Sequence, residues 1–125
     1  MTGRTFGLWA AVVGWHDGDT FYGVIDQGFG MFRGASMVVV PGQPFVQLLP
    51  TRIRAALIDS PELREGPPGV AATAAAMRLA PPGIYEATSY TPDEYGRPIV
   101  DLVLPGGRLF SAAMLEEGFA APYRR

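Results

Sequence analysis

The sequence T-R-I-R-A-A-L-I-D-S-P-E at residues 51–62 predicts a strand that ends in a charged turn. Apolar side chains alternate with charged or small ones along its first half, which is the period-two pattern of a strand with one buried face. Pro61 disfavours a helix at the residue before it and fixes its own backbone angle, so we expect the strand to stop there in a rigid turn. The turn then places the guanidinium of Arg54 near the carboxylates of Asp59 and Glu62, at a strand end where loops commonly carry chemistry.

These charged residues alone do not distinguish a functional site from a structural ion pair at the surface, and the ion pair is the commoner case. The spacing adds a constraint, because Arg54 and Asp59 are an odd number of residues apart and an ideal strand would send them to opposite faces. A site that uses both side chains therefore requires a bulge, a strong twist, or a strand that ends before Asp59. The small pair Ala55 and Ala56 leaves room for such a distortion.

Composition limits the class of protein. A chain of 125 residues with 48% hydrophobic and 18% charged residues fits one globular domain, and we expect residues 1–125 to form it. There is no cysteine, which excludes disulfides and thiolate metal sites. The single histidine, His16, argues against a histidine-based zinc site or a Ser-His-Asp triad. The formal net charge of −2 means that any positive potential for binding nucleic acid must be local.

The first apolar run, F-G-L-W-A-A-V-V-G-W at residues 6–15, is interpreted as a strand. It follows Arg4 as the core of a signal peptide would, but no small-residue cleavage site comes after it. The run is also too short to span a bilayer. We therefore expect an unprocessed cytoplasmic protein with no membrane contact, and secretion stays an open alternative.

The remaining elements follow from periodicity and from turn residues. Besides the central strand, strands are predicted at residues 8–13, 20–26, 84–90 and 99–104, and helices at residues 69–79 and 109–117. The buried stripe of the Ala-rich first helix is predicted to be Val70, Ala71, Ala74 and Met77, a narrow face of small residues that implies close packing. Five or so strands with two helices predict a mainly β, α+β fold. The expected architecture is a five-stranded barrel like the oligonucleotide/oligosaccharide-binding (OB) fold, with helices packed against it.

Residues 27–50 are predicted to form an inserted, hairpin-like segment. Two short apolar runs at residues 36–40 and 45–49 flank the turn sequence P-G-Q-P, which supports a hairpin or an extension of the central strand. Because these runs are more apolar than a solvated hairpin needs, we expect the segment to pack on the barrel or on a partner subunit.

Four motifs stand in a fixed order: D-G-D-T at residues 17–20, R-A-A-L-I-D-S-P-E at 54–62, D-E-Y-G-R at 93–97 and A-M-L-E-E-G-F-A at 113–120. Together they resemble the staphylococcal nuclease (thermonuclease) family over most of the chain outside the inserted segment. The resemblance implies a five-stranded barrel with surrounding helices. It also implies a calcium-dependent nuclease, a hydrolase that cuts the phosphodiester bonds of single-stranded DNA and RNA and leaves 3′-phosphate and 5′-hydroxyl ends.

The resemblance further implies a metal site. By position, the calcium ligands would be Asp19, Asp59 and the backbone carbonyl of Ser60, where the best-known members have threonine. Carboxylates and carbonyls are the oxygen ligands that calcium prefers, and they need neither histidine nor cysteine.

The same resemblance assigns the catalytic residues. Arg54 and Arg97 would hold the scissile phosphate, and Glu62 would act on the attacking water, either as general base or as a group that orients the water. Tyr95 matches a tyrosine that contacts a substrate phosphate in relatives. Tyr123 lies one position short of a second such tyrosine, and a plain aromatic of the tail is an equally good interpretation.

Two alternatives to an enzyme stay open. The barrel could be a non-catalytic module that binds nucleic acid or protein, or a component of a larger, phage-derived assembly. Glu94 favours weak nucleic-acid binding, because it places a negative charge where relatives often have lysine. The sequence leaves open the preference between DNA and RNA, the choice between endonuclease and exonuclease modes, and the oligomeric state.

Overall fold

The computed structural model describes residues 6–26, 32–33, 35–39, 42 and 46–123 of the chain. The surroundings of side chains are described for residues 8–26, 42 and 50–123. The elements are β1 (Phe6–Asp17), β2 (Thr20–Asp26), β3 (Phe32–Arg33), β4 (Ala35–Val39), β5 (Val46–Ala55), β6 (Ile58–Asp59), α1 (Pro67–Leu79), β7 (Gly83–Tyr90), β8 (Ile99–Val103), α2 (Phe110–Glu116) and β9 (Ala121–Pro122). A short 3₁₀ turn, Leu63–Glu65, precedes α1.

Five strands close into a barrel. β1 pairs with β2 and β7, β2 with β5, and β7 with β8, all antiparallel. The barrel closes where β5 and β8 run parallel, with Arg54 opposite Ile99 and Ala55 opposite Val100. The predicted mainly β, α+β fold with an OB-like five-stranded barrel and two helices is therefore confirmed. Closure matters for the site, because each barrel strand is held on both sides.

The central strand is longer at its start and shorter at its end than predicted. The runs expected at residues 45–49 and from 51 onward form one strand, β5, which is continuous from Val46 to Ala55. Its first half pairs antiparallel with β4, from Ala35 opposite Pro50 to Val39 opposite Val46, so the backbone has the predicted hairpin. The expected packing of the side chains of residues 27–49 lies outside the described residues.

The core fills the barrel from the inward faces of the strands and from α2. Phe21 and Ile53, opposite each other on β2 and β5, are completely buried. Phe110 and Met114 are four residues apart, so they share one face of α2, and both are also completely buried. The indole of Trp15 stacks on Phe110 with ring centroids 4.8 Å apart.

Helix α1 buries a different face from the one predicted. Val70, Ala71, Ala74 and Met77 are exposed, and the prediction of a buried stripe there is wrong. The helix instead buries its smallest residues and one threonine: Gly69, Ala72, Thr73, Ala75 and Ala76.

The reason for this choice of face is the short distance between α1 and its neighbours. A Cβ placed on Gly69 would lie 1.8 Å from the carbonyl oxygen of Glu62, so no larger side chain fits there. Larger side chains such as Val70 and Met77 would hold the helix away from the barrel, and they point outward instead.

No helix in the described part of the chain is long and apolar enough to cross a membrane.

The packing of α1 predicts opposite outcomes for the same substitution on its two faces. Ala76 is completely buried, so Ala76→Leu should overpack the interface and destabilise the protein by about 1–3 kcal/mol. Ala74→Leu adds the same atoms on the exposed face and should change stability by less than about 0.5 kcal/mol. Denaturant unfolding of both variants measures the difference. Equal losses of stability would contradict the assigned face.

Candidate functional site

A groove of about 530 Å³ lies on the outer side of the barrel, where the ends of β2 and β5 meet the turn that carries β6. Five of the predicted site residues line it, although they span positions 19 to 97 of the sequence: Asp19, Arg54, Asp59, Glu62 and Arg97. The two other predicted residues lie beside it. Ser60 lines a neighbouring pocket, and Tyr95 lines a smaller one of about 320 Å³ that shares Arg97 with the groove.

A tight turn brings Asp59 back to Arg54. Strand β5 ends at Ala55, and the next residues turn with Leu57 at φ 69°, a left-handed conformation that leucine rarely adopts. An Nη2–H of Arg54 donates to the carbonyl of Ile58 at 3.0 Å, and Arg54 Nη2 lies 3.7 Å from Oδ1 of Asp59. Of the three predicted ways to bring Arg54 and Asp59 together, a bulge, a strong twist or a strand that ends before Asp59, the structure shows the third.

Asp19 is the acidic centre of the groove. Its Oδ1 lies 2.8 Å from Nη1 of Arg54 and accepts a hydrogen bond from the Thr20 hydroxyl, and its Oδ2 accepts the backbone N–H of Ser60 at 2.9 Å. Burial by itself would raise the pKa of Asp19, but the Ser60 N–H and the Arg54 guanidinium hold that pKa below its ordinary value. Asp19 is therefore a buried carboxylate that stays ionised.

Two further carboxyls lie close to Asp19. Burial raises the pKa of Asp17 to about 6, and the hydrogen bond and negative charge of Asp19 add to the effect. Partial burial and the charge of Asp19 also raise the pKa of Asp59, against the opposing charge of Arg54. The resemblance assigns a metal role to Asp19 and none to Asp17. The D-G-D spacing is the sequence signal that could have placed the Asp17 carboxyl next to that of Asp19, because both carboxyls of such a tight turn can face the same side.

The loop with the D-E-Y-G-R motif presents Arg97 to the groove. Oδ1 of Asp93 accepts the backbone N–H groups of Tyr95 and Arg97, and its Oδ2 accepts Nε–H of Arg97 at 2.6 Å. These hydrogen bonds overcome partial burial and lower the pKa of Asp93. The Arg97 guanidinium carbon lies 5.8 Å from the centre of the exposed Tyr95 ring. Asp93 thus fixes the arginine that sequence reasoning assigned to phosphate binding.

Glu62 and Ser60 have different surroundings. The exposed carboxylate of Glu62 lies 2.5 Å from Nε of Arg64, and its backbone N–H donates to Glu65. Ser60 is buried and turns its N–H toward Asp19. A Cβ on Gly18 would lie 2.6 Å from Oγ of Ser60, so this close contact requires glycine at position 18.

Tyr123 lines the groove, whereas the sequence left open whether it is a substrate-contacting tyrosine or a plain aromatic of the tail. The Arg54 guanidinium carbon lies 5.3 Å from the centre of the Tyr123 ring, at cation–π distance. Strand β9 pairs with β6, and the Tyr123 N–H donates to the Leu57 carbonyl at 3.0 Å, so the tail is bonded to the turn that carries Asp59. No sequence signal indicates this two-residue pairing.

No protein-family model matches the chain, and no curated protein matches it at a significant level. Within the residues that the structure describes, no group of three or more His, Cys, Asp or Glu side chains is spaced to hold a metal ion. Membership in the staphylococcal nuclease family, calcium binding and the roles of the site residues therefore stay predictions from the motifs.

The raised pKa of Asp17 predicts how stability changes with pH. A carboxyl whose pKa is about 6 when folded and 3.8 when unfolded stabilises the fold fully below pH 3.8 and loses that contribution as pH rises to about 6. Asp17→Asn should therefore raise the melting temperature at pH 7 relative to the parent, and the difference should shrink at pH 4. Thermal unfolding in chelator at both pH values measures it. An equal difference in melting temperature at pH 4 and at pH 7 would contradict the raised pKa of Asp17.

Proposed function

We propose that the protein is a nuclease that hydrolyses phosphodiester bonds of single-stranded DNA and RNA with calcium, leaving 3′-phosphate and 5′-hydroxyl ends. The observation that carries the proposal is that three segments distant in sequence bring the carboxylates Asp19 and Asp59, the arginines Arg54 and Arg97, and Glu62 to one groove. Carboxylates for a hard cation beside guanidiniums for a phosphate are what phosphoryl chemistry requires.

The donor chemistry of the groove suits calcium. Asp19 and Asp59 lie close enough for the charge of Asp19 to raise the pKa of Asp59, and a bound cation would relieve that repulsion. Their oxygen atoms are hard ligands, with no histidine or cysteine among them. These two carboxylates would hold the ion, which would act as a Lewis acid on a phosphoryl oxygen. The Ser60 carbonyl is the third ligand that the motif suggests.

The arginines would stabilise the charge that grows on the phosphoryl oxygens during hydrolysis. The Arg54 side chain is 13% exposed, so its hydrogen bonds form in a region of low dielectric where they are strong. Arg97 is paired through Nε, which leaves its two terminal nitrogens to bind a phosphate. Together they supply donors from two sides of the groove.

Glu62 is the candidate for positioning or deprotonating the attacking water. Its present ion pair is with Arg64, whose side chain is 84% exposed. A surface ion pair of this kind contributes only about 0–1 kcal/mol, so Glu62 can exchange it for a water molecule at little cost. A carboxylate that accepts a proton within hydrogen-bond reach is the usual general base.

One observation favours the alternative, a module that binds without cutting. Arg54, Glu62 and Arg97 are each already paired with a charged residue of the protein, as they would be in a purely structural network. The two functions differ in a simple test, because a module would bind single-stranded DNA and leave it intact in calcium.

The proposal predicts that calcium supports cleavage and that chelation abolishes it. Magnesium should substitute poorly, because it requires a tighter octahedral shell and loses water reluctantly. The assay incubates end-labelled single-stranded DNA and RNA with each metal and identifies the product ends. Equal rates with magnesium, or products with 5′-phosphate, would contradict the assignment.

Substitutions should separate the roles of the groove residues. Arg97→Ala should lower the rate on the order of a hundredfold through lost charge stabilisation, and Glu62→Gln should lower kcat while preserving DNA binding. Asp59→Asn should weaken calcium affinity, so that excess calcium partly restores the rate.

The matched controls are Arg78→Ala and Glu117→Gln, the partners of an ion pair outside the groove, with Arg78 on α1 and Glu117 directly after α2. Both should keep the parent rate. A Glu62→Gln variant that cuts as fast as the parent would remove Glu62 from the mechanism.

A further inference from the structure

His16, Tyr22 and Arg52 form a cluster at the rim of the groove that the proposed reaction does not use. Nδ1 of His16 and the Tyr22 hydroxyl are 2.9 Å apart, and the two rings meet edge-on with centroids 5.7 Å apart. Tyr22 lies directly opposite Arg52 in the register of β2 and β5, so their side chains share one face of the sheet. His16 and Arg52 both line the groove.

Arg52 differs from the other arginines of the groove. Arg54, Arg64 and Arg97 each form an ion pair with a carboxylate, whereas Arg52 has no carboxylate partner within the part of the chain that the structure describes. Its side chain is exposed. An unpaired guanidinium at the wall of a groove is available to a ligand, and its planar fork of donors suits phosphate oxygens.

The His16–Tyr22 contact prepares a second donor beside it. In the tautomer in which the Tyr22 hydroxyl donates to Nδ1, the imidazole carries its proton on Nε2, and that N–H has no partner among the described residues. A protonated ring would present the same Nε2–H donor. The hydrogen bond and the edge-on packing hold the ring in place. The side chain therefore loses little conformational entropy when a ligand binds.

The position of the cluster relates it to the scissile phosphate. Arg52 and Arg54 are two residues apart on one strand and face the same side, which separates their Cα atoms by about 7 Å. That distance is comparable with the spacing between neighbouring phosphates along one nucleic-acid strand. The same offset along β5 places the second site farther from Asp19 and Asp59, whose charges would repel an anion.

We propose that His16 and Arg52, with Tyr22 holding the imidazole, form a subsite for the internal phosphodiester next to the one that Arg54 and Arg97 bind. The inference rests on the proposed function, since it assigns the groove a chain of at least two phosphates as ligand. The recognised substrate is then a polynucleotide, read through its backbone and not through its bases.

The test is equilibrium binding in chelator, where no cleavage occurs. The probe is a fluorescent 12-nucleotide single strand without terminal phosphates, so any phosphate contact must be internal. Arg52→Ala should weaken binding about tenfold, as loss of a charge-assisted hydrogen bond does. It should also reduce the slope of log K against log salt by about 0.7, the value for one phosphate contact on a single strand.

Arg78→Ala is the matched control, because it removes the same charge outside the groove and should keep the parent affinity and slope. His16→Ala should weaken binding as well. Because His16 and Arg52 would hold one phosphate, the double variant should lose less affinity than the product of the two single losses. A double variant whose loss of affinity equals the product of the two single losses would overturn the shared subsite.

The remaining outcomes separate this inference from the proposed function. A parent slope in Arg52→Ala, or no binding of the probe in chelator, would overturn the subsite even if the protein cuts DNA in calcium. If Arg52→Ala weakens the binding of strands that carry bases but not of an abasic strand, the lost contact is stacking on a base. That result would also overturn the phosphate subsite. The predicted change of slope in a protein that never cuts would support the subsite and overturn the nuclease.

Discussion

The guanidinium of Arg54 joins three parts of the chain that are distant in sequence. One nitrogen is paired with Asp19 in the turn before β2, another donates to the Ile58 carbonyl beyond the next turn, and the Tyr123 ring of the tail lies against the guanidinium. Because the side chain is almost fully withdrawn from water, removing one charged partner would leave a charge that the protein no longer compensates, at a cost of about 3–5 kcal/mol. The shape of the groove therefore depends on this one side chain.

Much of the fold could be predicted because its signals are local. The alternation of apolar residues gave β2 its observed bounds, Thr20–Asp26, and the strand and helix count gave the barrel. The odd spacing of Arg54 and Asp59 indicated that the strand must be bulged, strongly twisted or ended between them. No sequence pattern indicated how the strand ends. Leu57 adopts a left-handed conformation that leucine avoids, and the surrounding contacts impose it.

The face of α1 could not be predicted, because hydrophobicity and steric distance oppose each other there. Val70 and Met77 are the more apolar side chains, and a periodicity argument buries them. The close approach at Gly69 leaves space only for small residues, so the alanine face is selected. The sequence left the role of Tyr123 open between a substrate-contacting tyrosine and a plain aromatic of the tail. The pairing of β6 with β9, which brings the tail to the groove, involves two residues from each strand and arises from tertiary structure alone.

The parallel pairing of β5 with β8 also has a consequence for biosynthesis. It joins Arg54 to Ile99, residues whose synthesis is separated by about 2–9 s at a translation rate of 5–20 residues per second. During that interval the wall of the groove is open, and contacts of such long sequence separation form late in folding. Any activity of the groove therefore belongs to the completed barrel and is absent from a growing chain whose synthesis has not yet passed β8.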